Sequence, residues 1–178
     1  MLLHRLGIAG AAMLVSLGSL GAQPTLDDLF DDRFVHDIRI IIHPGDFARL
    51  VENYLTNDYY PCTLQWRDQI WDYVGIRSRG LGSRNQKKPG LRVDANRYED
   101  IKILGASSFI LDNITQDPTM MKERLAFALF RRLGQPAPRM APARLFINDE
   151  FIGLYSIIES IDKDYLKRHL GEDSGYLY

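Results

Sequence analysis

Residues 77–90 read Arg-Ser-Arg-Gly-Leu-Gly-Ser-Arg-Asn-Gln-Lys-Lys-Pro-Gly, a polar, basic, glycine-rich run between two stretches of β-forming residues. Glycine has no Cβ, so the backbone N–H groups of such a loop can approach phosphate oxygens closely. Arg79, Arg84, Lys87 and Lys88 place positive charge where it could meet the same oxygens. The chemistry this suggests is capture of a phosphate group. An exposed hairpin loop without a ligand has the same composition, and the run by itself leaves both readings open.

Glu123 is the second candidate. On a helix it shares a face with Phe127 and Phe130, at i+4 and i+7, and an acid on a buried apolar face needs a partner. A lysine from the preceding strand would serve, as in the Lys–Glu pairing that holds phosphates in phosphoryl-transfer enzymes. An acid near a helix start is equally favoured by the macrodipole alone. The spacing does not choose between the two. Cys62 is the only cysteine, which excludes an internal disulfide and a cysteine-rich metal site. Its neighbours Tyr59, Tyr60, Leu64 and Trp66 suggest a small buried hydrophobe rather than a reactive thiol.

Several elements must position these residues. Residues 34–43 are dense in Ile and Val and alternate, which predicts a strand. Pro44-Gly45-Asp46 breaks it, and Asp46 can cap a helix with apolar positions Phe47, Leu50, Val51, Tyr54 and Leu55. Residues 62–66 and 70–77 predict a hairpin around Arg67-Asp68-Gln69, residues 91–94 a further strand, and residues 103–111 another. Asp117-Pro118 reads as a helix start, with the helix running to Leu133 and stopping at Gly134. Its stripe Met121, Leu125, Leu129, Leu133 has ordinary core spacing. Two strands flank Asn148-Asp149-Glu150, and Asp162 can cap a last short helix ended by Gly171. Asn113-Ile-Thr matches a glycosylation sequon, to which a bacterial leader gives no weight.

The chain has 178 residues and a formal net charge of -1, with 46% hydrophobic and 25% charged residues. That is the profile of a globular domain, and its near-neutral balance argues against nucleic acid or an anionic membrane surface as partner. Residues 1–22 follow the order of a secretory signal: a short basic start, an apolar run over residues 6–20, then small residues around Gly21 and Ala22. The apolar run, about fifteen residues, is shorter than the ~20 needed to span a bilayer. The expectation is export to the periplasm, cell surface or medium, with an uncleaved anchor as the other reading. Residues 23–33 are polar and acidic and suggest a linker, leaving 34–178 as one domain. Gly175-Tyr-Leu-Tyr resembles the start of a further strand, which suggests a truncated domain.

Three blocks of sequence carry a resemblance. Val74-Gly-Ile-Arg-Ser-Arg-Gly-Leu-Gly-Ser, with Lys87-Lys-Pro, resembles the R-x-[KR]-G-x-x-S…K-K-[PS] segment of the CotH kinase-like family. Leu111-Asp-Asn…Asp117-Pro-Thr-Met-Met-Lys-Glu-Arg-Leu-Ala…Leu129-Phe-Arg-Arg-Leu-Gly resembles that family's next block. Arg144-Leu-Phe-Ile-Asn-Asp-Glu-Phe-Ile-Gly-Leu-Tyr-Ser-Ile-Ile-Glu-Ser-Ile-Asp resembles its N-[GD]-x-[YF]-x-G-[LV]-Y-x-x-x-E-x-I-D signature. Three blocks in order are far more specific than one.

The resemblance implies an α+β fold, a divergent protein-kinase-like N-lobe of mostly antiparallel sheet with a packed helix and the C-terminal lobe absent. It implies ATP with Mg²⁺ or Mn²⁺ as cofactor and serine on a protein as acceptor, spore coat proteins in one branch and surface adhesion in another. Carried onto this chain, Arg79, Gly80, Gly82 and Ser83 would cover the phosphates, and Lys87 or Lys88 would contact them, strand parity with Leu91 and Val93 favouring Lys87. Glu123 would pair with that lysine. Glu159 and Asp162 would lie beside the adenine, although a strand-end carboxylate and a helix cap account for the same residues. The loop departs from the family in reading Gly-Leu-Gly-Ser where relatives carry Gly-Asn-Ser-Ser. No metal ligand is assigned, because the family's catalytic and metal-binding aspartates lie downstream of the Gly-x-Leu-Tyr segment. Phosphoryl transfer needs both, so the expectation is that this chain alone does not catalyse it.

Overall fold

A computed structural model describes residues 23–175 of the chain. The proposed leader and residues 176–178 lie outside the described residues.

Strand β1 (His36–Ile42) follows its alternation: Ile38, Ile40 and Ile42 are buried while Arg39 and Ile41 face outward. Helix α2 (Pro44–Glu52) starts two residues before the expected Asp46 cap. Pro44 fits the first helical position, and the His43 ring accepts the Gly45 N–H at 3.2 Å. Strands β2 (Tyr60–Trp66) and β3 (Gln69–Ser78) form the expected hairpin, turning through Arg67 at φ 55°. The glycine-rich loop then leads to β4 (Leu91–Asp94). The apolar stretch 103–111 is only partly a strand. Residues 103–106 close a tight turn with Leu104 at φ 52°, and β5 is confined to Ser108–Asp112. Strands β6 (Met140–Ile147) and β7 (Glu150–Glu159) turn through Asn148 and Asp149, both at positive φ. Asp162 caps the last helix as expected, its Oδ1 accepting the Tyr165 N–H at 3.2 Å.

The strands close into a barrel in the order β1-β2-β3-β4-β5-β7-β6. Six pairings are antiparallel, and the seventh, β1 against β6, is parallel, with His36 opposite Ala143 and Ile40 opposite Ile147. The interior is filled by alternate residues of each strand, among them Ile38, Ile40, Leu64, Val74, Ile76, Leu91, Val93, Phe109, Leu111, Leu145 and Ile157. Each such side chain contributes roughly 1.5–3 kcal/mol on leaving water. Closure leaves no open sheet edge.

This corrects the expected architecture. The domain is a closed, mixed seven-stranded barrel with a few short helices, and not a kinase-like N-lobe with a packed helix. The element that would have been packed, α3 (Lys122–Arg132), has no buried residue, and Leu125, Leu129, Phe130 and Leu133 are largely exposed. Its core-like stripe is uncovered because the barrel fills its own interior. Polar links hold α3 instead: Arg124 pairs with Asp32 at 3.3 Å and Arg131 donates to the Pro138 carbonyl at 2.8 Å. The helix also starts later than Asp117-Pro118. Asp117 accepts the Thr119 and Lys122 N–H groups, and the chain turns through Met120 at φ 57° before helical geometry begins.

Residues 23–33 are folded against the barrel. A one-turn helix, α1 (Leu26–Leu29), carries a Thr25/Asp28 capping box, and Leu29 and Phe30 are buried in the core. Apolar residues spaced this closely among acids look like linker composition, and only the barrel end shows what they pack against. Behind them, the Trp66 indole N–H donates to His36 Nδ1 at 3.2 Å while His36 Nε2 meets the Asp31 carbonyl at 2.9 Å. An indole N–H only donates, so His36 Nδ1 is the acceptor in this pair and Nε2 faces the Asp31 carbonyl. Cys62 is buried, and burial pushes its thiol up to about 12.

Candidate functional site

The glycine-rich loop leaves β3 at Arg79 and returns at Gly90, where the Arg79 N–H donates to the Gly90 carbonyl at 2.9 Å. Gly80 sits at φ 123°, and a Cβ there would lie 2.5 Å from Ser83 Oγ, so the turn excludes a side chain. One buried side chain clamps both limbs of the loop. Asn113 Nδ2 donates to the carbonyls of Ser83 at 2.8 Å and Lys88 at 2.7 Å, and its Oδ1 accepts the Thr115 hydroxyl at 3.1 Å. The amide is fully buried, which makes it inaccessible to modification in the folded chain. Asn113 is the loop's fixed point.

Beside this clamp lies a cleft of about 310 Å³. Ser83 from the loop, Asp112 at the end of β5, Asp117, Glu123 at the start of α3, and Ser156 of β7 line it. Asp112 is its electrostatic centre: Oδ2 accepts Arg79 Nη1 at 2.9 Å and Oδ1 accepts the Ile114 N–H at 2.8 Å. Burial pushes the Glu123 carboxyl upward, Asp112 and Asp117 add to the rise, and Arg79 opposes it.

Lys88 runs over β7. Gly153, at φ 146°, leaves room for it, since a Cβ there would lie 3.1 Å from Lys88 Cε. The ammonium sits 5.2 Å from the centroid of the Tyr155 ring, a cation–π contact. The Tyr155 hydroxyl donates to the Pro89 carbonyl at 3.0 Å, tying the same strand to the loop. Burial lowers the Lys88 pKa, and Asp112 opposes that. The Gly-x-Tyr of the third sequence block is therefore the seat of Lys88.

The residues singled out from sequence divide into three groups. Arg79, Gly80, Ser83, Lys88 and Glu123 gather around Asp112 and the clamped loop. Glu123, however, makes no ion pair among the described residues; the cation bound to a carboxylate here is Arg79, and its partner is Asp112. Lys87 is exposed, with its backbone N–H on Asn85 Oδ1 at 2.8 Å, and Gly82 occupies the exposed tip of the loop. Glu159 lies at the opposite end of the barrel. Its carboxylate receives Arg139 Nη2 at 2.7 Å, the Arg139 N–H at 3.1 Å and Arg168 Nη2 at 2.5 Å, and Arg139 also reaches Asp27. Burial would raise its pKa, but these bonds hold it below the usual value. Sequence reasoning missed Asp112, Asn113, Gly153 and Tyr155 as site residues. The signal was present, because all four fall inside the quoted blocks.

Among the described residues no group of three or more His, Cys, Asp or Glu is placed to hold a metal ion, and no helix is long and apolar enough to cross a membrane. What the arrangement offers is a rigid, glycine-turned loop with cations beside a cleft of hydroxyl and carboxyl groups, suited to hold a phosphorylated ligand.

Comparison with known proteins bears on this arrangement. The chain is 26% identical over 140 residues to the inner spore coat protein H of Bacillus subtilis (strain 168), an alignment covering 79% of this chain and 38% of that protein. It is 24% identical over 156 residues to spore coat protein homolog 1 of Rhizopus delemar, covering 83% of this chain and 25% of that protein. The chain thus spans well under half the length of either relative. The family described as CotH kinase protein matches residues 76–178, more than half the chain, including the loop, the Asn113 clamp and the Lys88 seat. The chain belongs to the CotH kinase protein family.

Proposed function

We propose that this chain is the nucleotide-binding part of an exported ATP-dependent protein kinase that phosphorylates serine. The observation that carries the reading is the clamped loop, which brings Ser83 to one cleft with Asp112 and Glu123 and holds Arg79, paired with Asp112, and Lys88, over Tyr155, at its margin. ATP, bound with Mg²⁺ or Mn²⁺, would supply the transferable phosphoryl group. The chain's own residues bind and orient it: the Gly80 turn exposes backbone N–H groups, Ser83 offers a hydroxyl, and Arg79 and Lys88 provide charge. Asp112 fixes the direction of Arg79. Among the described residues no group of three or more His, Cys, Asp or Glu is placed to hold the metal, which would arrive with the nucleotide. Both relatives have spore coat names, and with the leader-like residues 1–22 this supports a place at the cell or spore surface.

A second reading is an exported binding or adhesion module without catalysis. The uncovered apolar stripe of α3 favours it, since large exposed apolar patches mark interaction surfaces. The two readings separate on nucleotide binding. Calorimetric titration with ATP and Mg²⁺ should show one saturable site, weakened about tenfold or more by Lys88→Ala, the loss expected for one charge-assisted contact. Absence of binding, or binding indifferent to Lys88→Ala and Arg79→Ala, would favour the module.

A further inference from the structure

A second hollow, of about 360 Å³, opens on the outer face of β3 and β4 and meets the cleft at the Arg79–Asp112 pair. Its wall is made by Arg77, Arg79, Arg84 and Arg92 together with Asn57 and Ile110, and no carboxylate lines it. Arg77 and Arg92 are register partners across the β3–β4 ladder. Like charges directly opposite each other destabilise a sheet.

Of these four arginines only Arg79 makes an ion pair among the described residues, although Arg92 also borders an adjoining hollow that Asp94, Asp162 and Asp164 line. Arg77 Nη1 donates to Asn57 Oδ1 and the Ser78 carbonyl, both at 2.9 Å. Arg92 Nη2 donates to Ser108 Oγ at 3.0 Å. Arg84 donates to three backbone carbonyls, of Gly80, Tyr54 and Thr56, and to Asn57 Oδ1. Every one of these acceptors is neutral. Only Arg79 has a carboxylate, Asp112. The bonds orient the guanidinium groups: Arg77, Arg79 and Arg84 present positive charge to one concave, half-buried space, and Arg92 lies at its border with the acidic hollow. Arginine forks match the oxygens of phosphate in pairs.

We propose that this hollow binds a phosphate-class oxyanion, a phosphomonoester or an oligophosphate group, with Arg77 as its principal donor and Arg92 turning to it from the border of the acidic hollow. The inference rests on charge and shape, and holds whether or not the chain transfers phosphate. One ligand chemistry has two sources, a free oligophosphate of the kind a nucleotide carries or a phosphoserine in a polypeptide.

The test titrates the full chain, without metal, with tripolyphosphate in one arm and a short phosphoserine peptide in the other. Saturable binding in either arm is expected, falling with ionic strength as charge–charge contacts do and weakened about tenfold or more in Arg77→Gln/Arg92→Gln. Arg132→Gln, an exposed arginine of α3, should leave it unchanged. Binding of tripolyphosphate alone assigns the hollow to a nucleotide-type tail, and binding of the peptide alone to a phosphorylated protein. Should the double variant fold poorly, arginine Nε–H NMR of the native chain decides: the Arg77 and Arg92 signals should move on titration. Equal affinity in a folded double variant, no binding in either arm, or shifts confined to other arginines would overturn the proposal. Because ATP and metal are not used, failure here is distinguishable from failure of the nucleotide reading.

Discussion

Replacing Asn113 by alanine should release the glycine-rich loop and cost the domain about 3 kcal/mol. The side chain is fully buried and makes two donor bonds, at 2.8 Å to Ser83 O and 2.7 Å to Lys88 O. Each bond contributes ~1 kcal/mol net, and a carbonyl left buried without a partner costs a further ~1–3 kcal/mol. Ser83 is half-buried, so water can reach part of the vacated site and the sum falls toward the lower end. For a domain of this size 3 kcal/mol corresponds to a fall in Tm of roughly 6–12 °C. Circular dichroism melts of wild type and variant measure it directly. Limited trypsin digestion localises the effect, because cleavage after Arg84 or Lys87 should accelerate before any other site does. Asn113→Asp keeps the volume but cannot donate to either carbonyl, and should fall at least as far. If Asn113→Ala melts within about 2 °C of wild type and its loop is no more cleavable, the clamp does not hold the loop and the reasoning fails.

Glu159 should govern the acid limb of stability. Its folded pKa lies below the unfolded value, so its contribution is present above about pH 4.5 and is lost as pH falls through the lowered folded value. Glu159→Gln should flatten that limb in acid melts and cost about 3 kcal/mol at pH 7 by leaving Arg139 and Arg168 without their carboxylate; an unchanged acid limb would contradict it. Leu129→Ala, on the exposed stripe of α3, should change stability by less than about 0.5 kcal/mol, whereas Ile40→Ala in the barrel core should cost ~2–5 kcal/mol. Comparable losses by urea unfolding would restore a packed helix. Cys62, with its thiol pushed up to about 12, should resist alkylation at pH 8 until denaturant is added, and rapid labelling of the native chain would refute its burial.

Local signals in the sequence led to much of this structure, and nonlocal ones were hidden. The strand of residues 36–42 follows from period-two alternation, those within 60–78, 91–94 and 140–159 from β-forming stretches bounded by turn residues, and the Asp162 and Gly171 helix ends from capping chemistry. Barrel closure was illegible because it rests on the parallel pairing of β1 with β6, more than a hundred residues apart in sequence. The α3 stripe misled for the same reason. An i, i+4 row of Met121, Leu125 and Leu129 specifies an apolar face but not what covers it. At the site, the loop was legible from its glycines and cations. Its anchor lay inside a quoted block, at Asn113, but its role did not show, because a buried asparagine reading two carbonyls has no spacing rule. Glu159 drew attention as a carboxylate in a motif, and the arginines that saturate it come from residues 139 and 168.

Hydrogen exchange with and without ATP and Mg²⁺ tests the central claim most directly, because it needs no variant and reads every segment at once. Nucleotide should slow exchange in residues 79–90 and 112–123, the loop and the cleft wall, and leave α2 and the β2–β3 turn unchanged. Protection confined to other segments, or none at saturating nucleotide, would contradict the assignment of this cleft as a nucleotide site.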